Sequence, residues 1–362
     1  MKVIIAGGGT GGHLFPAVAV GEELRSQTPA DEILYVGASD GLEARWLPRH
    51  GLRHELLRVR GWTGKSPLTR LRAIGEFAAA VAHARRLIRR ESADLVVGAG
   101  GYASAPVAVA AILTRTPLVL LEQNTRPGLA NRLLWRFAKK ICVGFAESAA
   151  GIAPHKVAVT GNPVRWELSR RASAEGAVPL QILVLGGSSG AHRLNLGVLK
   201  AFTICAKSVI KADLVHQTGE TDAKMIAEGY GRLGRSGQVT PFIDDMAAAL
   251  VSADLVIARS GAMTVSELAL AGRPAVLVPY PFHRDRQQEL NARVLERLGA
   301  ARIVPDDEHL GENLAKVLLE LTADRELLAA MGRRAATAAR PDAARAIAQI
   351  CVAAAHAGGP TS

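Results

Sequence analysis

Short apolar runs alternate with longer helical patterns along the first 160 or so residues. The runs fall near residues 2–6, 33–37, 94–98, 117–121, 141–143 and 157–159. The stretches between them carry apolar residues at the spacing of a helix face rather than of a strand. Alternation of buried strands with helices predicts a doubly wound parallel α/β sheet.

The same pattern restarts near residue 161 as an internal repeat. IIAGGGTGGH at 4–13 is echoed by LVLGGSSGAH at 183–192, and ADLVVGAGG at 93–101 by ADLVIARSG at 253–261. A third pair, TPLVL at 116–120 and RPAVL at 273–277, keeps the order. The repeat predicts two Rossmann-like domains whose glycine turns face each other across a cleft. We expect 1–161 with a returning helix at 342–357 to form the first domain, and 162–341 the second.

A glycine-rich turn, residues 7–12, follows the first apolar run and precedes a helical pattern. This first glycine turn would present backbone N–H groups and a helix dipole to a phosphate. It also satisfies G-x-G-x-x-G, so dinucleotide binding is a competing interpretation. Against that interpretation, the next strand ends in Gly37, Ala38 and Ser39, where a ribose-binding acid is expected, and Asp40 comes late. His13 has no role in holding a dinucleotide.

Length and composition limit the classes of partner. The chain has 362 residues, which is too long for one ordinary core, and 49% of them are hydrophobic. Its net charge is +11. Such a charge predicts an acidic partner, which could be nucleic acid, anionic lipid or a phosphorylated substrate. Only 4% of residues are aromatic and they do not alternate with basic ones, so nucleic acid is disfavoured. The apolar runs are too short to cross a bilayer, and three scattered cysteines indicate buried thiols.

Positive charge is concentrated in one segment of the first half. Residues 58–90 hold nine basic side chains against one acid, Glu76. Apolar residues fall among them in two sets. A stripe at helical spacing consists of Leu71, Ile74, Ala78, Val81 and Ile88, and larger side chains beside the arginines are Trp62, Leu68 and Phe77. The segment predicts an amphipathic helix on an anionic membrane surface, with Arg70, Arg72 and Arg86 contributing to attachment. The alternative is a helix that covers a core and points its arginines to water.

Several motifs occur in one order along nearly the whole chain. They are GGTGGH at 8–13, GGY at 100–102, EQN at 122–124, GNPVR at 161–165, GGS at 186–188, FIDDM at 242–246, RSGA at 259–262, TVSE at 264–267 and QQ at 287–288 with Asn291. Together they closely resemble the MurG family of peptidoglycan N-acetylglucosaminyltransferases. The resemblance implies the two-domain GT-B fold and an inverting transfer of GlcNAc from UDP-GlcNAc to the MurNAc 4-hydroxyl of lipid I, giving lipid II. Leu121 departs from the family, which often has His there.

The resemblance also implies where each substrate binds. For UDP-GlcNAc it points to residues of both halves: Thr10, Gly11, Gly12, Asn124, Arg165, Ser188, Ile243, Ala262, Met263, Thr264, Glu267 and Gln288. For the acceptor it points to Gly9, Thr10, His13, Gly101 and Tyr102. These residue types suit the ligands, because a carboxylate accepts from a ribose diol and a guanidinium forks onto phosphate oxygens.

His13 is the first candidate for the base that deprotonates the acceptor hydroxyl, and Glu122 is the alternative. The start of a helix lowers the pKa of an imidazole, so His13 would be neutral near pH 7, as a base must be. A role for His13 in binding acceptor phosphate is also open. The chain has no Asp-x-Asp pair. We therefore expect no cofactor and no metal held by the protein, with the leaving UDP stabilised by helix N-termini and Arg165.

Two other functions remain open from the sequence. One is a UDP-GlcNAc 2-epimerase of related fold, and the other is a non-catalytic protein that binds a nucleotide or a lipid phosphate. For the transferase, the expected partners are UDP-GlcNAc, lipid I and an anionic membrane, and other cell-wall enzymes are open as partners. The expected location is peripheral, on the cytoplasmic face of the inner membrane.

Overall fold

In the computed structural model the chain forms two compact units, Met1–Arg165 with Pro341–Ser362, and Trp166–Arg340. The structure describes residues 1–59, 67–164, 179–187, 190–207, 212–235, 237–282 and 285–356, and at 67–72 the backbone alone. Arg165, Ser188 and Trp62 therefore lie outside the described residues, as do the side chains of residues 68 and 70–72.

The first unit is built on a parallel sheet of seven strands in the order β3-β2-β1-β4-β5-β6-β7. The strands are Lys2–Ala6, Glu32–Ala38, His54–Leu57, Leu95–Gly98, Leu118–Glu122, Lys140–Val143 and Val157–Val159, β1 to β7. The helices that follow in the chain are Gly11–Gln27, Glu43–Arg49, Pro67–Glu91, Ser104–Thr114 and Leu129–Leu134, α1 to α5, with short 3-10 turns at Trp135–Phe137 and Ala146–Ala149.

Both faces of this sheet are covered, so its central strands are apolar throughout. Successive residues of β1 point to opposite faces. Ile4 lies in a core shared with residues of α3 and α4. Ile5 lies in a second core shared with α1 and with the last helix of the chain, Ala343–His356. The C-terminal helix is therefore a structural part of the first unit.

The second unit repeats the arrangement with six parallel strands in the order β10-β9-β8-β11-β12-β13. These strands, β8 to β13, are Leu180–Leu185, Ala212–Gln217, Gly237–Thr240, Leu255–Ala258, Ala275–Leu277 and Ala301–Ile303. Helices α6 to α12 are His192–Ile204, Ala223–Arg232, Met246–Ser252, Ala262–Ala271, Gln287–Arg297, Leu310–Thr322 and Arg325–Ala336, a 3-10 turn spans Cys205–Lys207, and Ala343–His356 is α13. The predicted fold of two doubly wound parallel sheets is confirmed.

Two details differ from the sequence patterns. Strand β3 was not predicted, because it is an edge strand whose first three residues are only partly buried. On α3, the buried positions are Ala73, Ala80, Ala84, Leu87 and Ile88. Of the predicted stripe, Ile88 is buried but Ile74 is exposed. In the described part of the chain, no helix is both long and apolar enough to span a bilayer.

Candidate functional site

The first glycine turn lies where the strand order of the first sheet reverses, between β1 and β4. At this point the chain leaves β1 and β4 toward opposite sides, which opens a crevice at the carboxyl edge of the sheet. The turn at 7–12 follows β1, and residues 99–102, the β4 turn, follow β4. Ligands of open α/β sheets bind in such crevices.

Glycine lets these two turns touch through their backbones. A Cβ at Gly101, where φ is +81°, would lie 1.9 Å from the carbonyl oxygen of Gly8. A Cβ at Gly100 would lie 2.6 Å from Cδ2 of the His13 ring, and one at Gly9 would lie 3.6 Å from the Tyr102 ring. The predicted acceptor residues of both turns are therefore neighbours, and Tyr102 is exposed beside them.

His13 stands in the first turn of α1 with its ring against the β4 turn. Its Nδ1 is 3.2 Å from the Thr10 hydroxyl. The oxygen of that hydroxyl can accept a hydrogen bond from the Nδ1–H group, and in this tautomer the Nε2 lone pair can take a proton from a substrate. Burial lowers the pKa of His13 to about 4. The imidazole is therefore neutral across the physiological range, which is the state that a general base requires.

Glu122 ends β5 and is buried. Its Oε1 accepts from the backbone N–H of Asn124 at 3.0 Å and from the Asn124 side chain at 3.3 Å. Its Oε2 accepts from the Gly128 N–H at 2.8 Å and the Asn131 side chain at 2.9 Å. Four donors thus surround this carboxylate. Such a group orders the loop at 122–128, and few of its lone pairs remain for a substrate proton.

Sequence reasoning missed Glu43, the first residue of α2. Its carboxylate lies beneath the first glycine turn and accepts the Gly9 N–H at 2.9 and 2.8 Å. This N–H is therefore not available to a phosphate in this conformation. The nearest sequence signal is the acid expected after β2, but Glu43 lies five residues beyond the end of that strand, past the positions 37–40 where such an acid is expected.

The second glycine turn begins at Gly186, directly after β8, and its described residues 186, 187 and 190 lie at the equivalent point of the second sheet, where β8 and β11 are neighbours. Across that point, β11 leads into α9, which begins with the predicted donor residues Ala262, Met263 and Thr264. Glu267 follows on the same helix and is partly buried. The N-terminus of α9 thus faces the crevice edge, where a nucleotide diphosphate is stabilised in folds of this kind.

Gln288 and Ile243 lie at the same carboxyl edge of the second sheet. The Gln288 side-chain oxygen accepts the Tyr280 N–H at 2.9 Å, and its carbonyl accepts from the Ser260 hydroxyl at 2.8 Å. Gln288 is thereby fixed next to the segment that begins α9. Ile243 follows β10 and is partly buried.

A polar network behind the second glycine turn was also missed. Asp222 accepts from Nδ1 of His192 at 2.9 Å and from the Asn195 side chain at 2.7 Å. Asn195 Oδ1 is 3.1 Å from His216 Nε2, and His216 Nδ1 is 2.9 Å from the Tyr230 hydroxyl. Burial lowers the pKa of His216 to about 4. Burial also raises the pKa of Asp222, but the hydrogen bonds from His192 and Asn195 outweigh it and leave that pKa below its usual range.

The structure thus gathers the predicted residues in two groups, one in each unit. The first unit holds Gly9, Thr10, Gly11, Gly12, His13, Gly101, Tyr102, Glu122 and Asn124, and the second holds Ile243, Ala262, Met263, Thr264, Glu267 and Gln288. Arg165 and Ser188 stay predictions. Among the described residues, no group of three His, Cys, Asp or Glu side chains could hold a metal ion.

Two parallel sheets, each with a glycine turn at its switch point, define the GT-B class of fold. The glycosyltransferase family 28 N-terminal domain matches residues 3–143, and the family 28 C-terminal domain matches residues 181–347. The crystal structure of Acinetobacter baumannii MurG is similar to this chain, with a TM-score of 0.78 and 31% sequence identity, and the match covers 97% of this chain and 99% of that one. A putative UDP-N-acetylglucosamine 2-epimerase from Listeria monocytogenes has TM-score 0.68 at 16% identity, over 96% and 94% of the two chains, a likeness of fold.

Several curated relatives are more similar to this chain in sequence than these two crystal structures are. The UDP-N-acetylglucosamine–N-acetylmuramyl-(pentapeptide) pyrophosphoryl-undecaprenol N-acetylglucosamine transferase of Geotalea uraniireducens is 40% identical over 96% of both chains. The Myxococcus xanthus protein of the same name is 39% identical over 97% of this chain and 92% of its own. The chain therefore belongs to the MurG family, within glycosyltransferase family 28. The resemblance noted from its motifs is confirmed.

Proposed function

We propose that this protein transfers N-acetylglucosamine from UDP-GlcNAc to the MurNAc 4-hydroxyl of undecaprenyl-diphospho-MurNAc-pentapeptide, the step from lipid I to lipid II. The observation that carries the proposal is the similarity to named transferases over almost the whole of both chains. The UDP-GlcNAc 2-epimerases share the fold at low identity, and that likeness supports no activity. We assign the acceptor to the first unit and the UDP part of the donor to the second, and Thr10, Gly11, Gly12 and Asn124 of the first unit would contact the rest of UDP-GlcNAc.

In the proposed reaction the acceptor oxygen attacks the anomeric carbon of GlcNAc. The bond from that carbon to the diphosphate oxygen breaks, UDP leaves, and the acceptor proton passes to Nε2 of His13, with inversion. The contact between Thr10 and Nδ1 and the lowered pKa of His13 support this role. Glu122 is the weaker candidate because four N–H groups already hold it. Its proposed role is to order the loop that carries Asn124.

On the donor side, the N-terminus of α9, together with Arg165 and Ser188, would stabilise the departing diphosphate. Glu267 would accept from the ribose diol, Ile243 would meet the uracil through its backbone, and Gln288 would contact the sugar hydroxyls. The position of α9 and α10 at the carboxyl edge of the second sheet supports these assignments.

We place the membrane surface on one face of the first sheet. Helices α3, α4 and α5 contribute to the same core on that face or pack against it. Their outer sides expose large apolar residues, namely Ile74, Leu113, Leu129 and Leu133, with Phe137 in the following 3-10 turn. Exposed basic residues accompany them, and the Arg136 guanidinium lies 4.7 Å from the centre of the Phe137 ring. Apolar and basic side chains on one surface favour peripheral attachment to anionic lipid.

One assay tests the proposed reaction. Radiolabelled UDP-GlcNAc is incubated with the protein, with and without a lipid I analogue, and the products are separated. Glycosylated lipid formed only when the analogue is present is the expected result. Free epimer without the analogue would instead identify an epimerase, and unchanged UDP-GlcNAc in both incubations would identify a binding protein.

A further inference from the structure

Glu43 is a buried carboxylate that, among the described residues, accepts hydrogen bonds only from backbone N–H groups. The residue is 0% exposed. Its Oε1 accepts the Ala38 N–H at 2.6 Å, and both oxygens accept the Gly9 N–H. Within the described part of the chain, no ion pair to Glu43 is present. A buried carboxylate is costly unless donors compensate it, so these two N–H groups are held firmly.

Three glycines from separate segments make room for this carboxylate. A Cβ at Gly8 would lie 2.0 Å from Oε1, one at Gly41 would lie 2.4 Å from both oxygens, and one at Gly37 would lie 2.1 Å from Cγ. Any side chain at these positions would displace Glu43. The end of β2, the start of α2 and the first glycine turn are thus shaped around one side chain.

The turn that Glu43 holds is the same turn that contacts the acceptor residues. Gly8 meets Gly101 backbone to backbone, and Gly9 lies beside Tyr102. His13 follows four residues after Gly9, and its ring lies against Gly100 in the same β4 turn. A displacement of Gly8 and Gly9 would therefore also move the β4 turn and the ring of His13.

We propose that Glu43 is a positioning residue for the acceptor side of the reaction. It acts as an internal anion that occupies the Gly9 N–H, fixes the first glycine turn against the β4 turn, and so sets the place of His13 and Tyr102. The proposal rests on the proposed function, in which these residues meet the acceptor. It also implies that an acceptor phosphate is bound by groups other than the Gly9 N–H.

Two variants test this role through different atoms. In Glu43→Gln the amide oxygen can still accept, but the amide nitrogen cannot, and the negative charge that strengthens the bonds from Gly9 and Ala38 is lost. In Gly41→Ala the new methyl group displaces the carboxylate without altering it. Each should lower kcat/KM for a lipid I analogue by about ten- to a hundredfold, because small displacements of catalytic groups cost on this order. The dissociation constant of UDP, measured by calorimetry, should change by less than about twofold, since the nucleotide is assigned to the second unit.

Matched controls separate positioning from general damage. Asp31→Asn alters another buried carboxylate of the first unit, one paired with the N-terminal amine at 2.8 Å. Gly75→Ala adds a methyl group where nothing lies within 4 Å. Both should keep the wild-type kcat/KM for the acceptor, whatever they do to the melting temperature. Wild-type acceptor kinetics in folded Glu43→Gln, or equal losses in acceptor kinetics and UDP affinity, would overturn the proposal.

Hydrogen exchange tests the contact independently of activity, and its measurement on the wild-type protein does not depend on whether the variants fold. In the wild-type protein the amide protons of Gly9 and Ala38 should exchange slowly, and in a folded Glu43→Gln variant the Gly9 proton should exchange at least about tenfold faster. Fast exchange of both protons in the wild type would refute the role of Glu43. Slow exchange in a wild-type protein that glycosylates no acceptor would refute the proposed function instead.

Discussion

The two glycine turns occupy the same place in the two sheets and differ in what holds them. In each unit an acidic residue follows the strand next to the turn, Glu43 after β2 and Asp222 after β9. Glu43 bonds to the backbone of the first turn, whereas Asp222 bonds to side chains of α6, the helix after the second turn. Dinucleotide-binding folds place a ribose-binding acid near this position. Here both acids point into the protein, which explains why the dinucleotide interpretation fails.

The difference also separates the two histidines that end the repeated motif. His13 is held by Thr10, and its pKa is lowered to about 4, so its ring is neutral near pH 7 and has a lone pair that can take a proton. His192 is 62% exposed and its Nδ1 is paired with a carboxylate. His13, in the first repeat, therefore presents its imidazole at the crevice. His192, at the same position of the second repeat, instead contributes to the contacts of α6.

Replacing His13 should have the largest effect. His13→Ala is expected to lower kcat about 10²- to 10⁴-fold with saturating lipid I analogue, because a general base contributes about that factor. The matched control is His192→Ala at the echoed position, which should lower kcat by less than about tenfold. Steady-state kinetics of both variants give the comparison. Near-normal turnover by His13→Ala would remove His13 from the chemistry.

The buried His216 should make the free energy of unfolding depend on pH in one direction. The unfolded imidazole titrates near 6.5, and in the folded chain the pKa of His216 is about 4. As the pH falls through this window the unfolded chain takes up the proton first, so the free energy of unfolding decreases, by up to about 3 kcal/mol for His216.

Urea unfolding at a series of pH values measures this dependence. His216→Leu should flatten the loss between about pH 6.5 and 4 relative to the wild type, even though it loses two hydrogen bonds. Lys140→Gln, an alteration away from His216, should keep the wild-type slope. An unchanged slope in His216→Leu would show that His216 does not titrate as stated.

Replacing exposed leucines should weaken the binding of the protein to membranes in the first unit but not in the second. Leu129→Ser with Leu133→Ser should weaken binding to anionic vesicles by about tenfold, because partial insertion of two leucines is worth on the order of 1–2 kcal/mol. The control pair Leu196→Ser with Leu319→Ser lies in the second unit and should bind as the wild type does. Vesicle sedimentation at low salt compares them. Equal binding by both pairs would place the membrane surface elsewhere.

The smallest effect on turnover is expected at Glu122. Glu122→Gln should lower kcat by less than about tenfold. It should also lower the free energy of unfolding by about 1–3 kcal/mol, because its amide nitrogen would face N–H donors. Glu308→Gln, at an exposed carboxylate, serves as the control for both measurements. A loss of turnover as large as that of His13→Ala would make Glu122 the base.

Much of the fold could be predicted because the central strands are continuous apolar runs buried on both faces. β3 could not, since an edge strand of mixed polarity carries little periodic signal. The candidate residues of both crevices came from motif resemblance, and Arg165 and Ser188 remain predictions from that resemblance. The role of Glu43 could not be predicted from the sequence because it depends on Gly8, Gly37 and Gly41 meeting around one side chain. That juxtaposition exists only in three dimensions.

The place of α13 in the first unit has a consequence for synthesis. A ribosome releases the first sheet early, and α1 packs on one face of it, but the part of that face that receives Ile347, Ala348 and Cys351 stays uncovered until α13 emerges. The second unit, 166–340, is complete in sequence before that moment and can fold as an uninterrupted segment. The synthesis of the first unit therefore begins before that of the second, but its core can be completed only after the second unit has been made.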